Sequence, residues 1–208
     1  AEPENISLMV KDLGLKHVVI TSVTRDDLPD KGAGQFVETV KCILKLKPAV
    51  TIEVLTPDFN GDFGLLEKVL QLPISVFNHN VETVERLYPV ARKQADYRRS
   101  LDILKFASEF SSKNYFVKSG FMVGLGELES EIFELMNALF NAGVEILTIG
   151  QYLRPSLKHL EVKKYYSDNE FDNLSGFGEN IGFKRVFSGP FVRSSFNSEI
   201  ILSELKGV

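Results

Sequence analysis

Apolar positions along this chain keep changing period. Short β-branched runs recur as HVVITSV, TIEVL, ISVFNHNV, YFVKSGFMV and EILTIGQYL, and each is followed by residues at helical spacing. Phe36, Val37, Val40, Ile43 and Leu44 fall at the i, i+3, i+4, i+7 positions of one helical face. Leu101, Leu104 and Ala107 repeat that period, as do Ile132, Leu135, Met136 and Leu139. The stretch EPENISLMVKDLG opens the chain on a helix, with no strand before it. Strands alternating with helices imply parallel strands joined by right-handed crossovers, so the pattern predicts either a barrel or a doubly wound sheet.

Polar residues at the strand ends separate the two. Each predicted strand runs at its C-terminal end into a cluster of functional side chains. These are Thr21-Ser22 with Arg25-Asp26-Asp27, Glu53 with Pro57-Asp58, Asn78-His79-Asn80, Gly124 to Glu127, and Gln151-Tyr152. A (β/α) barrel assembles its site from several strands at one rim, whereas a doubly wound sheet concentrates it at one switch point. The spread favours a partial barrel over residues 1–153, since five strands are too few to close the usual eight-stranded one. Beyond Leu153 the periodicity weakens, and residues 154–208 are expected to hold a short helix near Glu170 to Asn180 and an extended tail packed on the barrel.

Charge and composition narrow the partners. The 24 basic and 28 acidic residues give a net charge of -4 without long runs of one sign, against a nucleic-acid or anionic-membrane footprint. No apolar run approaches the roughly 20 residues of a membrane span. A lone cysteine, Cys42, allows no intrachain disulfide and by itself no zinc or iron-sulfur site. The three histidines show neither His-x-His nor His-Glu-x-x-His spacing.

Several motifs keep two readings each. In KSGFMVGLGE, Lys118 either snorkels outward or points into a polar cavity. The Gly-Leu-Gly-Glu that follows is either a ligand cradle or a turn opening a helix, because the four glutamates of GLGELESEIFEL would repel a phosphate but favour a first helical turn. Asp26 and Asp27 could serve a ligand or cap a helix.

Taken in order, TSVTRDDLPDKGA, IEVLTPDF, FNHNVETVERLY, ADYRRSL, KSGFMVGLGE, LTIGQYLRPS, SGP and VRSSF resemble the lipoyl synthase family from about Leu13 to Phe196. The resemblance implies a (βα)6 partial TIM-like radical S-adenosylmethionine barrel, here without its first strand. It also implies two 4Fe-4S clusters. One cleaves S-adenosylmethionine to a 5'-deoxyadenosyl radical; the other supplies sulfur for insertion at C6 and C8 of an octanoyl chain on a lipoyl carrier domain. The implied partners are octanoylated carriers (E2 subunits or glycine cleavage H protein) and a reductase such as ferredoxin or flavodoxin. The setting would be cytoplasmic in a bacterium, mitochondrial or plastidic in a eukaryote.

On that resemblance, Val123 and Gly124 would lie against the adenine, Glu53 and Asn80 would serve the ribose hydroxyls, and Thr21 and Ser22 would hold the methionine amino group. Gln151 joins this cofactor set. Lys118 and Arg193 are the candidate catalytic residues, and Arg25, Asp26, His79 and Tyr152 the substrate-binding ones. Ser195 of Arg193-Ser194-Ser195-Phe196 would ligate the auxiliary cluster, with Phe196 replacing the family's usual tyrosine. The cluster cysteines would all lie upstream of Ala1, so the chain is expected to be an inactive fragment of a longer protein. Two other classes remain: a cluster-free barrel lyase or aldolase using Lys118 as a Schiff-base amine, and a non-catalytic module that binds lipoyl domains.

Overall fold

A computed structural model describes residues 2–196 and 198. In chain order the elements are α1 (Glu2–Asp12), β1 (His17–Thr21), α2 (Ala33–Leu46), β2 (Thr51–Leu55), α3 (Phe63–Leu70), β3 (Val76–Asn78), α4 (Tyr88–Ala91), α5 (Tyr97–Glu109), β4 (Phe116–Val123), α6 (Glu129–Asn141), β5 (Ile146–Gln151), α7 (Asp168–Ile181) and β6 (Arg185–Gly189). Strand order follows chain order, β1 to β6. This is the α/β repeat that the alternating periods predict. The described chain forms two compact units, the first of residues 2–78, 109–116 and 198, the second of 79–108 and 117–196.

In the first unit β1 pairs parallel with β2, Val19 opposite Glu53, and β2 pairs parallel with β3, Glu53 opposite Val76. The helical face read from the sequence is the buried one: Phe36, Val40 and Ile43 of α2 are almost fully covered. Phe36 meets Phe59 edge to face, with centroids 6.3 Å apart. Asp62 caps α3 by accepting from Leu65 N–H at 3.1 Å.

In the second unit β4 pairs parallel with β5, from Lys118 opposite Ile146 to Val123 opposite Gln151, and β5 pairs parallel with β6. Ile132, Leu135, Met136 and Leu139 form the buried stripe of α6. The second unit departs from expectation after Leu153. Helix α7 stands where a helix is predicted, its start closed by Ser167 N–H donating to Glu170 at 2.9 Å. The tail beyond it contains a strand. RVFSG opens on an exposed arginine, ends in Ser-Gly and is only half-buried, so its periodicity is weak; pairing with β5 supplies what the sequence pattern lacks.

Candidate functional site

The polar strand ends of the first unit are largely committed to one another. Glu53 is 1% exposed and accepts a hydrogen bond from Asn78 Nδ2 at 2.7 Å. Thr21 and Ser22 are exposed where β1 ends, and Ser22 donates to Val23 O at 3.0 Å. Arg25 forks onto the Asp27 carboxylate at 2.8 and 2.7 Å, a hydrogen bond that draws Asp27 below the ordinary carboxylate range. Asp26 is exposed. Opening α2 falls to Asp30, which accepts from Gly32 N–H at 3.1 Å and Gly34 N–H at 3.0 Å, and not to Asp26 or Asp27.

In the second unit, alternation along β4 places Lys118, Gly120 and Met122 on one face and Ser119, Phe121 and Val123 on the other. A small cavity of about 120 Å3 is bordered by Asn80, Glu82, Gly120, Thr148, Gly150 and Arg193. Two glycines on its border are closely packed by this chain. A methyl group on Gly120 would collide with the Thr148 hydroxyl and stand 3.2 Å from Asn80 Oδ1; one on Gly150 would collide with Val192 O and stand 3.1 Å from Arg193 Nη1. Asn80 Oδ1 is buried and has no hydrogen-bond partner, a costly state for an amide oxygen unless a ligand supplies the donor.

Glu82 lies beside it in a left-handed backbone conformation, φ 69°. Both of its peptide groups are pinned to β4: its N–H donates to Gly120 O at 3.0 Å, and its carbonyl accepts from Met122 N–H at 2.9 Å. That pairing holds a strained residue in place. Desolvation raises the Glu82 pKa above the carboxylate norm, partly countered by the Arg92 charge and a hydrogen bond with Asn80. Arg92 is itself fixed, donating to Asn80 O at 3.2 Å, Val81 O at 3.3 Å and the Tyr88 hydroxyl at 3.1 Å. Glu82 and Met122 also border a second cavity, of about 570 Å3, whose other walls include Val90, Leu125, Tyr152 and Leu160.

The end of β4 is organised differently. Glu127 folds back to accept from Gly124 N–H at 2.5 Å, Leu125 N–H at 2.9 Å and the Tyr166 hydroxyl at 3.1 Å. The carboxylate of Gly-Leu-Gly-Glu thus closes its own turn. Gly124, at φ 105°, permits close approach of this chain itself: a methyl group there would collide with Gln151 Nε2 and lie 2.5 Å from Lys164 O. Gln151 donates to Val123 O at 3.2 Å, Tyr152 O at 3.1 Å and Lys164 O at 3.1 Å, and accepts from Tyr166 N–H at 3.0 Å.

Of the remaining candidates, Lys118 is 1% exposed, on the same β4 face as Gly120. His79 is buried with Nε2 3.1 Å from Ser100 Oγ, directed at helix α5. Tyr152 borders the larger cavity and donates to Leu160 O at 2.9 Å. Arg193 and Ser194 border the small cavity, while Ser195 is exposed. Among the described residues no cluster of three or more His, Cys, Asp or Glu side chains is placed to hold a metal ion.

The radical SAM superfamily model matches residues 1–139. A lipoyl synthase of Rubrobacter xylanophilus is 50% identical over 197 residues, 95% of this chain and 61% of its own length. That of Caldanaerobacter subterraneus is 48% identical over 206 residues, 99% of this chain and 72% of its own length. The chain belongs to the lipoyl synthase family of radical SAM enzymes. Its fold is also that of the FeFe-hydrogenase maturase HydG from Carboxydothermus hydrogenoformans, with a TM-score of 0.69 at 14% identity, over 88% of this chain and 44% of that one. The chain therefore spans between 61% and 72% of the length of these two lipoyl synthases.

Lipoyl synthases, as radical SAM enzymes, use S-adenosylmethionine and iron-sulfur chemistry. Sequence reasoning pointed at Asn80 and Arg193, which meet at the small cavity, and at Tyr152, on the larger one. It passed over Glu82, Thr148 and Gly150. Gly150 sits unmarked inside the apolar run ILTIGQ, and the environment of Glu82 arises from a backbone turn that residue type does not announce.

Proposed function

We propose that the protein to which this chain belongs is a lipoyl synthase that inserts two sulfur atoms, at C6 and C8, into an octanoyl group carried on a lipoyl domain. One observation supports this reading above the rest: a small cavity lined by polar groups and two glycines adjoins, across Glu82 and Met122, a larger one that includes the apolar side chains Val90, Leu125 and Leu160. A cofactor and an acyl chain that must react with each other call for such neighbouring chambers.

The residues present suit the adenosyl part of S-adenosylmethionine. Asn80 Oδ1 is an acceptor awaiting a donor, Thr148 and Glu82 add oxygen atoms, and Gly120 and Gly150 present bare backbone at the cavity's border. Asn80 and Glu82 would bind the ribose hydroxyls, with Arg193 as counter-charge. Gln151, Val123 and Gly124 would serve by shaping the wall. Thr21, Ser22 and Glu53 stay as candidates for the methionine end, and Arg25, Asp26, His79 and Tyr152 for the substrate. Lys118 would bring a cation to the face of β4 that carries Gly120. Bound together, S-adenosylmethionine and its cluster supply the one-electron chemistry that activates the two carbons. This chain's one cysteine does not fit an iron-sulfur cluster. The cluster thiolates would come from sequence upstream, with Ser195 offering one exposed oxygen to an auxiliary cluster. An octanoylated carrier and a ferredoxin- or flavodoxin-type reductant complete the partners.

Mass spectrometry of an octanoylated carrier domain, incubated with the reconstituted full-length protein, S-adenosylmethionine and reductant, tests the reading. The expected product gains two sulfur atoms as the dithiol formed under reductant, and loses two hydrogens on oxidation to the disulfide. An unchanged mass, under conditions in which the protein cleaves S-adenosylmethionine, would overturn it.

A further inference from the structure

Between β5 and α7 the chain has neither helix nor strand over residues 152–167, a length of irregular backbone that compact domains keep for functional loops. The loop is heavily braced. Arg154 donates through Nε to His159 O at 3.0 Å and through Nη2 to Leu157 O at 2.6 Å, and Ser156 Oγ lies 2.9 Å from His159 Nδ1. Tyr152 ties the hydroxyl end of its ring to Leu160 O, and Gln151 fastens Lys164. Yet the crest so carefully held presents Leu157, 86% exposed. An apolar side chain on a mobile loop tip would be unremarkable. On a braced one, it is a contact surface with little ordering left to do on binding.

Two lysines accompany the crest. Lys158 and His159 of the loop, and Lys93 with Arg92 beyond α4, line the 570 Å3 cavity. Nearby acids offset little of this: Glu161 is paired with Lys163 at 3.1 Å, and Glu82 is desolvated at the inner wall. In a chain of net charge -4 this collar stands apart from the average surface.

We propose that Leu157, with the cationic collar of Lys93 and Lys158, is the docking surface for an acidic face of the carrier protein, which delivers its acyl-lysine arm into the adjoining cavity. This rests on the reading of the cavity pair as cofactor and acyl chambers. Leu157 supplies the apolar anchor, and the collar supplies salt-sensitive steering and register.

The test uses the full-length protein with fluorescence anisotropy of two probes, an octanoylated lipoyl domain and a short octanoyl-lysine peptide. Leu157→Asp is expected to weaken the domain about tenfold or more while leaving the peptide within about twofold. Combined Lys93→Glu and Lys158→Glu is expected to flatten the dependence of domain binding on salt between about 50 and 200 mM. Domain affinity unmoved by all three substitutions would overturn the proposal while leaving the cavity reading intact. Failure of the unaltered protein to bind either probe would overturn that reading and the docking surface with it. Binding to phosphatidylglycerol vesicles that Leu157→Asp abolishes, without domain binding, would reassign the collar to a lipid surface and overturn the proposal.

Discussion

The braced end of β4 and the small cavity beside its middle are built from the same residue types and could hardly differ more in their bonding. Each has a side-chain amide, a glutamate and glycine. Gln151 uses both ends of its amide in four hydrogen bonds, whereas Asn80 keeps a buried oxygen unmatched. Glu127 accepts three hydrogen bonds, whereas Glu82 is desolvated with a raised pKa. All three glycines admit close approach of this chain, but Gly120 and Gly150 also border the small cavity. Residue type therefore does not separate scaffold from site here. Polar satisfaction separates these two regions: the braced end has used its polar groups within the chain, whereas at the cavity the Asn80 oxygen is left without a partner.

Substitutions on the two sides should move different observables. The largest effect on stability is expected from Gln151→Ala, which removes partners of the Tyr152 and Lys164 carbonyls and of the Tyr166 N–H; chemical denaturation should show a loss of about 2–4 kcal/mol. Glu127→Ala, which releases two backbone donors at the turn, should cost about 1–3 kcal/mol in the same measurement. If either variant kept full stability, the claim that this region is scaffold would fall. Across the comparison, Asn80→Ala removes an acceptor oxygen that nothing in the chain satisfies, together with the hydrogen bond Asn80 makes with Glu82, so the change in stability should stay within about 1 kcal/mol. Calorimetric titration with S-adenosylmethionine should nonetheless show affinity falling about tenfold. Loss of stability without loss of affinity would move Asn80 to the scaffold.

The smallest effect concerns pH. A carboxyl whose folded pKa is raised binds its proton more tightly in the folded state, so its charge works against folding. The contribution is favourable when both states are protonated, below the unfolded value, and is lost as pH rises through the folded one. Glu82→Gln should therefore raise stability relative to the unaltered protein at neutral pH, and the difference should shrink on acidification through that window. A difference independent of pH would mean that Glu82 is ionised without penalty.

These contrasts mark where the sequence could be read. Helices α2 and α6 were legible because their buried stripes obey one period over several turns, and β2 was legible because Thr51–Leu55 is a compact β-branched run. Strand β6 was not, since its stability comes from pairing with β5 rather than from its own five residues. Near the cavities the limit was direction. Gly-Leu-Gly-Glu drew attention to Gly124, but which glycine borders empty volume depends on side-chain placement along β4. The same holds at the chain's other end, where Ser194 reaches the small cavity and its neighbour Ser195 faces outward.

One carboxyl borders both chambers. A hydrogen bond made to Glu82 from the small chamber alters the charge met by whatever enters the large one, and thermodynamic linkage requires the influence to be equal in the reverse direction. On the proposed reading of the two chambers, the affinity of cofactor and of acyl chain would each report the presence of the other.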